Sequence, residues 1–561
     1  MKIALAQINP TVGDFRGNCK KILEFSERAQ AYGADLVLFP ELAVCGYPPA
    51  DLLEKSSFLH AAEQTLNKIK EWTATQGRPA ILCGTVLKAD PSVGKPVRNV
   101  GVLLRGGRID FIQQKMLLPF YDVFDEQRYF EPAETQKLAS LDNQPIAITI
   151  CEDAWNDKSF WPRRRYDIDP VEAQMQQWTS LSTQLQTAPR LILNISASPY
   201  WLGKRDVRRK MLSALAKRHS AILVMVNQVG GNDSLIFDGS SLVFAPDGSL
   251  VAQAHSFKED LVLFDMDSFV PLPQSSRESE EETAGISQAL VLGTRDYVQK
   301  CGFSKALVGL SGGIDSALVA AIAVEALGSN NVVGVGMPSE YSSLGSIEDA
   351  RALAKNLGIR FELLPIHQIF AAYRQSLEPL FMGTPFGLAE ENIQSRIRGD
   401  LLMALSNKFG ALVLTTGNKS EMATGYCTLY GDMVGALAVI GDVVKTRVYA
   451  LSRYINRERE IIPRSTIEKP PSAELRPEQR DTDTLPAYDV LDPILEAYVE
   501  RYCSADQIAE EQGIDVSLVR HVQQLVERSE YKRQQSAPVL KVTAKSFGTG
   551  RRFPIAVKFQ V

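Results

Sequence analysis

The run Gly309-Leu310-Ser311-Gly312-Gly313-Ile314-Asp315-Ser316 has the composition of a phosphate cradle. It lies between an apolar stretch that reads as a strand and one that reads as a helix. Glycines let backbone N–H groups approach an anion closely, and a helix start adds partial positive charge. Ser311 and Ser316 add hydroxyl donors. The Gly-Lys-Ser/Thr ending of a Walker A loop is absent. Elsewhere the reactive material is sparse. Cys19, Cys45, Cys83, Cys151, Cys301, Cys427 and Cys503 form no C-x-x-C pair and are odd in number, so a disulfide framework is not expected. The 5 histidines are dispersed too, so a reactive cysteine would need a base other than imidazole.

Three strings follow or end apolar runs: Phe39-Pro40-Glu41-Leu42, Lys115 with Leu117-Leu118-Pro119-Phe120-Tyr121, and Cys151-Glu152-Asp153-Ala154-Trp155. Taken singly, each has an ordinary reading. A cysteine at a strand end is usually a small buried hydrophobe, and a lone glutamate or lysine is usually a solvated charge.

The elements that must position these residues form two series. In the first half, strands are expected at Lys2–Asn9, Ala34–Glu41, Ala80–Leu87, Ile146–Asp153, Leu191–Ser198 and Ala221–Gln228. Hairpins are expected over Val100–Lys115 and Ser241–Ala254, turning at Gly106-Gly107 and Asp247-Gly248. Proline, serine and the acidic run Glu278–Glu282 then interrupt the pattern. Beyond it, strands at Lys305–Leu310, Val332–Met337, Phe361–Ile366 and Ala411–Thr415 alternate with helices at Ile314–Leu327 and Ser346–Leu357. That alternation predicts a doubly wound parallel sheet. The tail beyond Tyr488 reads as helical and polar.

The glycine-rich string resembles the pyrophosphate loop of the N-type ATP pyrophosphatases. Within that group, Glu391–Arg398, Thr415–Glu421, Tyr430-Gly431-Asp432 and Gly441–Thr446 are similar in order and content to NAD synthetases, over most of residues 285–555. That resemblance implies ATP bound by Gly309–Ser316 and Thr416, deamido-NAD+ contacted by Asn392, Glu421 and Lys532, and Mg2+ held by Asp315 and Glu421. Lys532 lies in Tyr531-Lys532-Arg533-Gln534, which matches the family's C-terminal pattern, as do Gln479-Arg480-Asp481 and Gly550-Arg551-Arg552. The chain departs from the pattern at Ala436 and Val439.

The three strings of the first half together resemble the nitrilase superfamily, over roughly residues 1–270. The resemblance implies a catalytic set of Glu41, Lys115 and Cys151. Glu41 would act as base, Lys115 would stabilise the tetrahedral oxyanion and Cys151 would attack. A positive neighbour is expected to lower the thiol pKa. Strand alternation is expected to keep Glu152 out of the Cys151 pocket. Glutamine contacts carried over from the fused synthetases are Tyr121, Ser198 and Lys204.

The whole chain thus resembles the glutamine-dependent NAD+ synthetases. The implied domains are an αββα amidohydrolase over 1–270, a linker over 271–284, and a Rossmann-like ATP pyrophosphatase domain over 285–561. Two other readings are an amidotransferase making a different product, and a silent first half that only docks an ammonia-fed synthetase. The intact Glu41, Lys115 and Cys151 argue against the second. The 66 acidic and 61 basic residues leave a net charge of -5, which gives no basis for nucleic acid or membrane partners. A cytoplasmic homo-oligomer acting on deamido-NAD+, ATP and glutamine is expected.

Overall fold

The computed structural model describes residues 1–90, 92, 94–181, 189–272 and 282–558. The chain divides into two units, residues 1–232 with 236–279 and residues 233–235 with 280–561. Most of the expected linker falls on residues outside those described, and its last three already belong to the helix Glu282–Lys300.

The first unit is built on two six-stranded sheets. One runs in the order Asp260–Asp265, Lys2–Gln7, Leu36–Leu38, Ala80–Lys88, Val97–Arg105, Arg108–Gln114. The other runs Leu250–Gln253, Leu242–Phe244, Ala221–Asn227, Arg190–Ser196, Gln144–Ile150, Leu138–Leu141. The period of two along each strand decides the layers. Ile3, Leu5, Leu36 and Leu38 share one cluster with Ile146, Ile148, Ile150, Leu191 and Leu193, so this apolar layer lies between the sheets. Ala4, Ala6 and Val37 face the other way, onto Ile22 and Phe25 of helix Phe15–Ala31 and Leu66 and Ile69 of helix Ser56–Trp72. Helices Pro170–Thr179 and Lys204–His219 cover the second sheet. The result is the expected αββα sandwich. Each buried leucine or isoleucine contributes about 1.5–3 kcal/mol.

Two expected strands end early, for local reasons. Ala34–Glu41 pairs only over Leu36–Leu38, although the Phe39 N–H still reaches Leu82 O at 2.8 Å. Pro40 then has no N–H to donate. Ile146–Asp153 stops at Ile150, because Cys151 has φ +44° and opens a tight turn over Cys151–Ala154. The first hairpin turns where expected, with Gly106 and Gly107 both at positive φ.

The second unit holds a parallel sheet in the order Arg360–Leu363, Val332–Gly336, Ala306–Gly309, Leu412–Thr415, Leu437–Ala438. Strand order reverses between Ala306–Gly309 and Leu412–Thr415, and a ligand crevice lies outside the carboxyl ends at such a point. Phe370, Ile393 and Ile397 cover one face, and helix Ile314–Leu327 packs on the strands with Glu282–Lys300 and Lys445–Ile455 beside it. This is the expected Rossmann-like sheet. The tail is helical as expected, but it has an apolar interior of Leu491, Ile494, Val519, Val522 and Val526. Among the described residues no helix is long and apolar enough to cross a membrane.

Candidate active sites

Each member of the expected amidase set stands just past a strand of the first unit. Glu41 follows Leu36–Leu38, Lys115 follows Arg108–Gln114 and Cys151 follows Gln144–Ile150. Glu41 and Lys115 are fully buried and Cys151 is 6% exposed. Lys115 Nζ donates to Glu41 Oε1 at 2.7 Å. Glu41 also accepts from Asn99 Nδ2 at 2.7 Å and from the Ala197 N–H at 3.1 Å. Glu126, which sequence reasoning missed, accepts from Lys115 Nζ with both oxygens at 2.8 Å. The Tyr47 hydroxyl donates to Glu126 Oε1 at 2.8 Å. One ammonium therefore sits between two buried carboxylates.

Burial pulls the Lys115 ammonium down, but Glu126 and Glu41 outweigh it and hold it well above the usual lysine range. Burial pushes Glu126 up to about 7 against the pull of Lys115. The Cys151 thiol is raised by burial and further by Glu41, with Lys115 opposing. This corrects the expectation of a lowered thiol, since desolvating a thiolate here outweighs the attraction of Lys115. A thiol raised in this way would attack a carbonyl only with the help of a base.

The expectation about Glu152 also changes. Cys151 and Glu152 lie in a turn, so strand alternation does not separate them, and Glu152 adds to the upward push on the thiol. Glu152 is buried and accepts from the Tyr121 hydroxyl at 3.0 Å and from the Tyr166 hydroxyl at 3.3 Å. Lys204 Nζ stands 5.4 Å from the Trp155 ring centre. Two expected glutamine contacts, Tyr121 and Lys204, thus reach the segment that begins at Cys151. The third, Ser198, follows Ala197, whose N–H holds Glu41, and its own N–H donates to Asn227 Oδ1 at 2.9 Å.

In the second unit the phosphate cradle spans the end of Ala306–Gly309 and the start of Ile314–Leu327. Gly312 has φ +77°, and a Cβ there would stand 2.2 Å from Ser346 O, so a side chain cannot be accommodated. Ser316 Oγ donates to Gly313 O at 3.0 Å and lies 3.2 Å from Ser311 Oγ. Gly309, Leu310, Ser311, Gly313 and Ile314 line a cavity of about 300 Å³, together with Asp315, Ser316, Thr416 and Glu421. Asp315 accepts from Asn418 Nδ2 at 2.9 Å and from Lys445 Nζ at 2.5 Å. The same ammonium is 3.5 Å from Glu421 Oε1. Lys445 lies within the Gly441–Thr446 string, but no role was assigned to it from sequence.

Burial pushes the Glu421 carboxyl up to about 8, and Asp315 adds to that. Ionised together, the two carboxylates would carry one negative charge more than Lys445 balances. Such a donor set fits Mg2+, which takes one or two carboxylates and completes its shell with water and phosphate oxygens. Asn392 and Lys532 do not line this cavity. Each instead contacts the chain just past Glu421: Lys532 Nζ donates to Gly425 O and Cys427 O at 2.7 Å, and Thr428 Oγ1 donates to Asn392 Oδ1 at 2.9 Å. Arg398, which closes the matched Glu391–Arg398 string but was given no role from sequence, lines the cavity and donates to Met337 O at 2.9 Å. Of the two departures from the family pattern, Ala436 donates its N–H to Val413 O at 2.8 Å and Val439 is fully buried.

Fold and sites together define a carbon–nitrogen hydrolase joined to an ATP-using synthetase of the NAD synthase type. Residues 2–270 match the carbon-nitrogen hydrolase family and residues 286–536 match NAD synthase. The glutamine-dependent NAD(+) synthetase of Synechocystis sp. is 51% identical over 99% of both chains. That of Thermotoga maritima is 42% identical over 100% of this chain and 99% of its own. The solved glutamine-dependent NAD+ synthetase of Acinetobacter baumannii, in complex with adenosine diphosphate, is 40% identical. It superposes with a TM-score of 0.76 over 99% of this chain and 98% of that one. The chain belongs to the glutamine-dependent NAD+ synthetases.

Proposed function

We propose that Glu41, Lys115 and Cys151 release ammonia from glutamine, and that the cavity at Gly309–Ser316 spends it on deamido-NAD+. As a member of its family the chain catalyses ATP-dependent amidation of deamido-NAD+ (nicotinic acid adenine dinucleotide), giving NAD+, AMP, pyrophosphate and glutamate. The observation that carries the residue assignment is the buried array of Glu41 and Lys115, each just past a strand, with Glu126, all close enough to act on the Cys151 thiol.

In the first half-reaction Cys151 Sγ attacks the side-chain carbonyl carbon of glutamine while Glu41 takes the thiol proton. Lys115 donates to the oxyanion, a contribution worth about 10²–10³ in rate for one such donor. Because Glu126 also grips Lys115, the ammonium keeps a second carboxyl partner when Glu41 becomes neutral. Glu41 then passes the proton to the leaving nitrogen as the C–N bond breaks. Water, deprotonated by Glu41, opens the γ-glutamyl thioester and frees glutamate. Tyr121, Ser198 and Lys204 hold glutamine in this reading.

In the second, the nicotinate carboxylate attacks the α-phosphorus of ATP and pyrophosphate leaves; ammonia then attacks the carbonyl of the adenylate and AMP leaves. Backbone N–H groups of Gly309–Ser316 receive phosphate oxygens, and Thr416 contacts ATP. Asn392, Glu421 and Lys532 orient deamido-NAD+, so alignment supplies much of the acceleration. Mg2+ held by Asp315 and Glu421 would neutralise phosphate charge. We assign the first reaction to residues 1–270 and the second to 285–561, joined by 271–284. The setting we infer is a cytoplasmic homo-oligomer, in keeping with seven free cysteines. Glutamine- and ammonium-driven NAD+ formation by Cys151→Ala tests the assignment.

A further inference from the structure

We propose that Asp153 is a positioning residue for the amidase reaction, its single carboxylate tying the segment that carries Lys115 to the turn that presents Cys151. This rests on the reading of Lys115 and Cys151 given above. Asp153 lies in the turn Cys151–Ala154 and has no exposed surface. Its Oδ1 accepts from the N–H groups of Met116 at 3.1 Å and Leu117 at 2.8 Å, the two residues after Lys115. Its Oδ2 accepts from the N–H of Ile150 at 3.1 Å, the residue before Cys151.

An aspartate that only capped its own turn would need the Ile150 bond alone. The other two donors come from a segment 36 and 37 residues away. Lys115 itself still pairs with the neighbouring strand, its N–H on Asn99 O at 2.9 Å. Past it the chain leaves the sheet, and Asp153 receives the next two N–H groups. On the other side, Cys151 sits at φ +44°, a conformation that a non-glycine residue keeps only where its surroundings fix it. The carboxylate thus joins a strand exit to a strained turn, and through them sets how far the Lys115 ammonium stands from a carbonyl bound at Cys151. Burial pushes the Asp153 carboxyl up to about 7, against the pull of its three N–H partners and Lys115. All three partners are donors, and once ionised the carboxylate offers acceptors on both oxygens. An asparagine offers one acceptor oxygen and an NH2 that must face an N–H.

The test is Asp153→Asn in the full-length chain, with Cys151→Ala alongside. The asparagine oxygen can keep Met116 and Leu117, leaving its amide against Ile150 and loosening the turn. Misplacement of this kind lowers glutamine-driven kcat by about 10- to 100-fold. The KM for glutamine and the ammonium-driven rate are expected to stay within about twofold of wild type, since neither depends on the Lys115–Cys151 distance. The proposal is overturned by a glutamine-driven kcat close to wild type, by a loss confined to KM, or by equal loss of both activities, which would make Asp153 a folding residue only. Glutamine use by Cys151→Ala would instead overturn the reading beneath it, whatever Asp153→Asn does.

Discussion

Lys115 Nζ stands 2.7 Å from Glu41 Oε1, and neither side chain is exposed to solvent. The base and the oxyanion donor proposed for the amidase reaction are thereby paired before substrate arrives. The cost is two carboxylates and an ammonium removed from water, which only their mutual pairing makes tolerable.

Lys115→Met strips Glu41 and Glu126 of their shared cation. Breaking a buried pair in this way costs about 3–5 kcal/mol of stability. Glutamine-driven synthesis should fall by about 10²–10³. Urea unfolding and steady-state assays check both numbers. A variant as stable as wild type would mean that the array is not held together by this charge.

Because burial raises the Cys151 thiol, no thiolate should form in the free enzyme at neutral pH. The difference in thiolate ultraviolet absorbance between wild type and Cys151→Ala is expected to stay flat up to about pH 9. A titration centred near neutrality would show that Lys115, not burial, governs the thiol.

Lys445 places its ammonium between Asp315 and Glu421, at 2.5 and 3.5 Å. In Lys445→Met the carboxylates face each other without it. Both glutamine- and ammonium-driven NAD+ formation should drop, by about 10² or more, since each uses the same ATP site. Loss with glutamine alone would contradict the placement of Lys445 in the synthetase site.

Burial, reinforced by Arg218, lowers His219 to about 4, so its imidazole is neutral in the folded state. A folded pKa below the unfolded value means stability present above about pH 6.5 and lost as pH falls through about 4. His219→Gln cannot protonate. The stability difference between wild type and this variant should therefore shift in the variant's favour across that window, as read from denaturation midpoints. A difference independent of pH would show that His219 is not held neutral.

Much of the first unit was legible because Ile146–Ile150 and Leu191–Ile195 are nearly continuous apolar runs, as strands covered on both faces require. The cradle was legible because its glycines are adjacent in sequence. Glu126 was not, since a lone glutamate on the short helix Glu126–Tyr129 carries no local sign that it closes on Lys115. Lys445 lay inside a matched string, yet its meeting with Asp315 spans 130 residues. The Cys151 turn was hidden for a different reason. Apolar alternation continues up to Ile150, and the break is made by a backbone angle and by Asp153, which the pattern does not encode.

The most direct test of the account is NAD+ formation from deamido-NAD+, ATP and Mg2+ by Cys151→Ala, with glutamine or ammonium as nitrogen source. Loss of synthesis from glutamine with retention of synthesis from ammonium is the predicted result. Undiminished use of glutamine by the variant would contradict the assignment of Cys151, and with it the division of labour proposed for the two units.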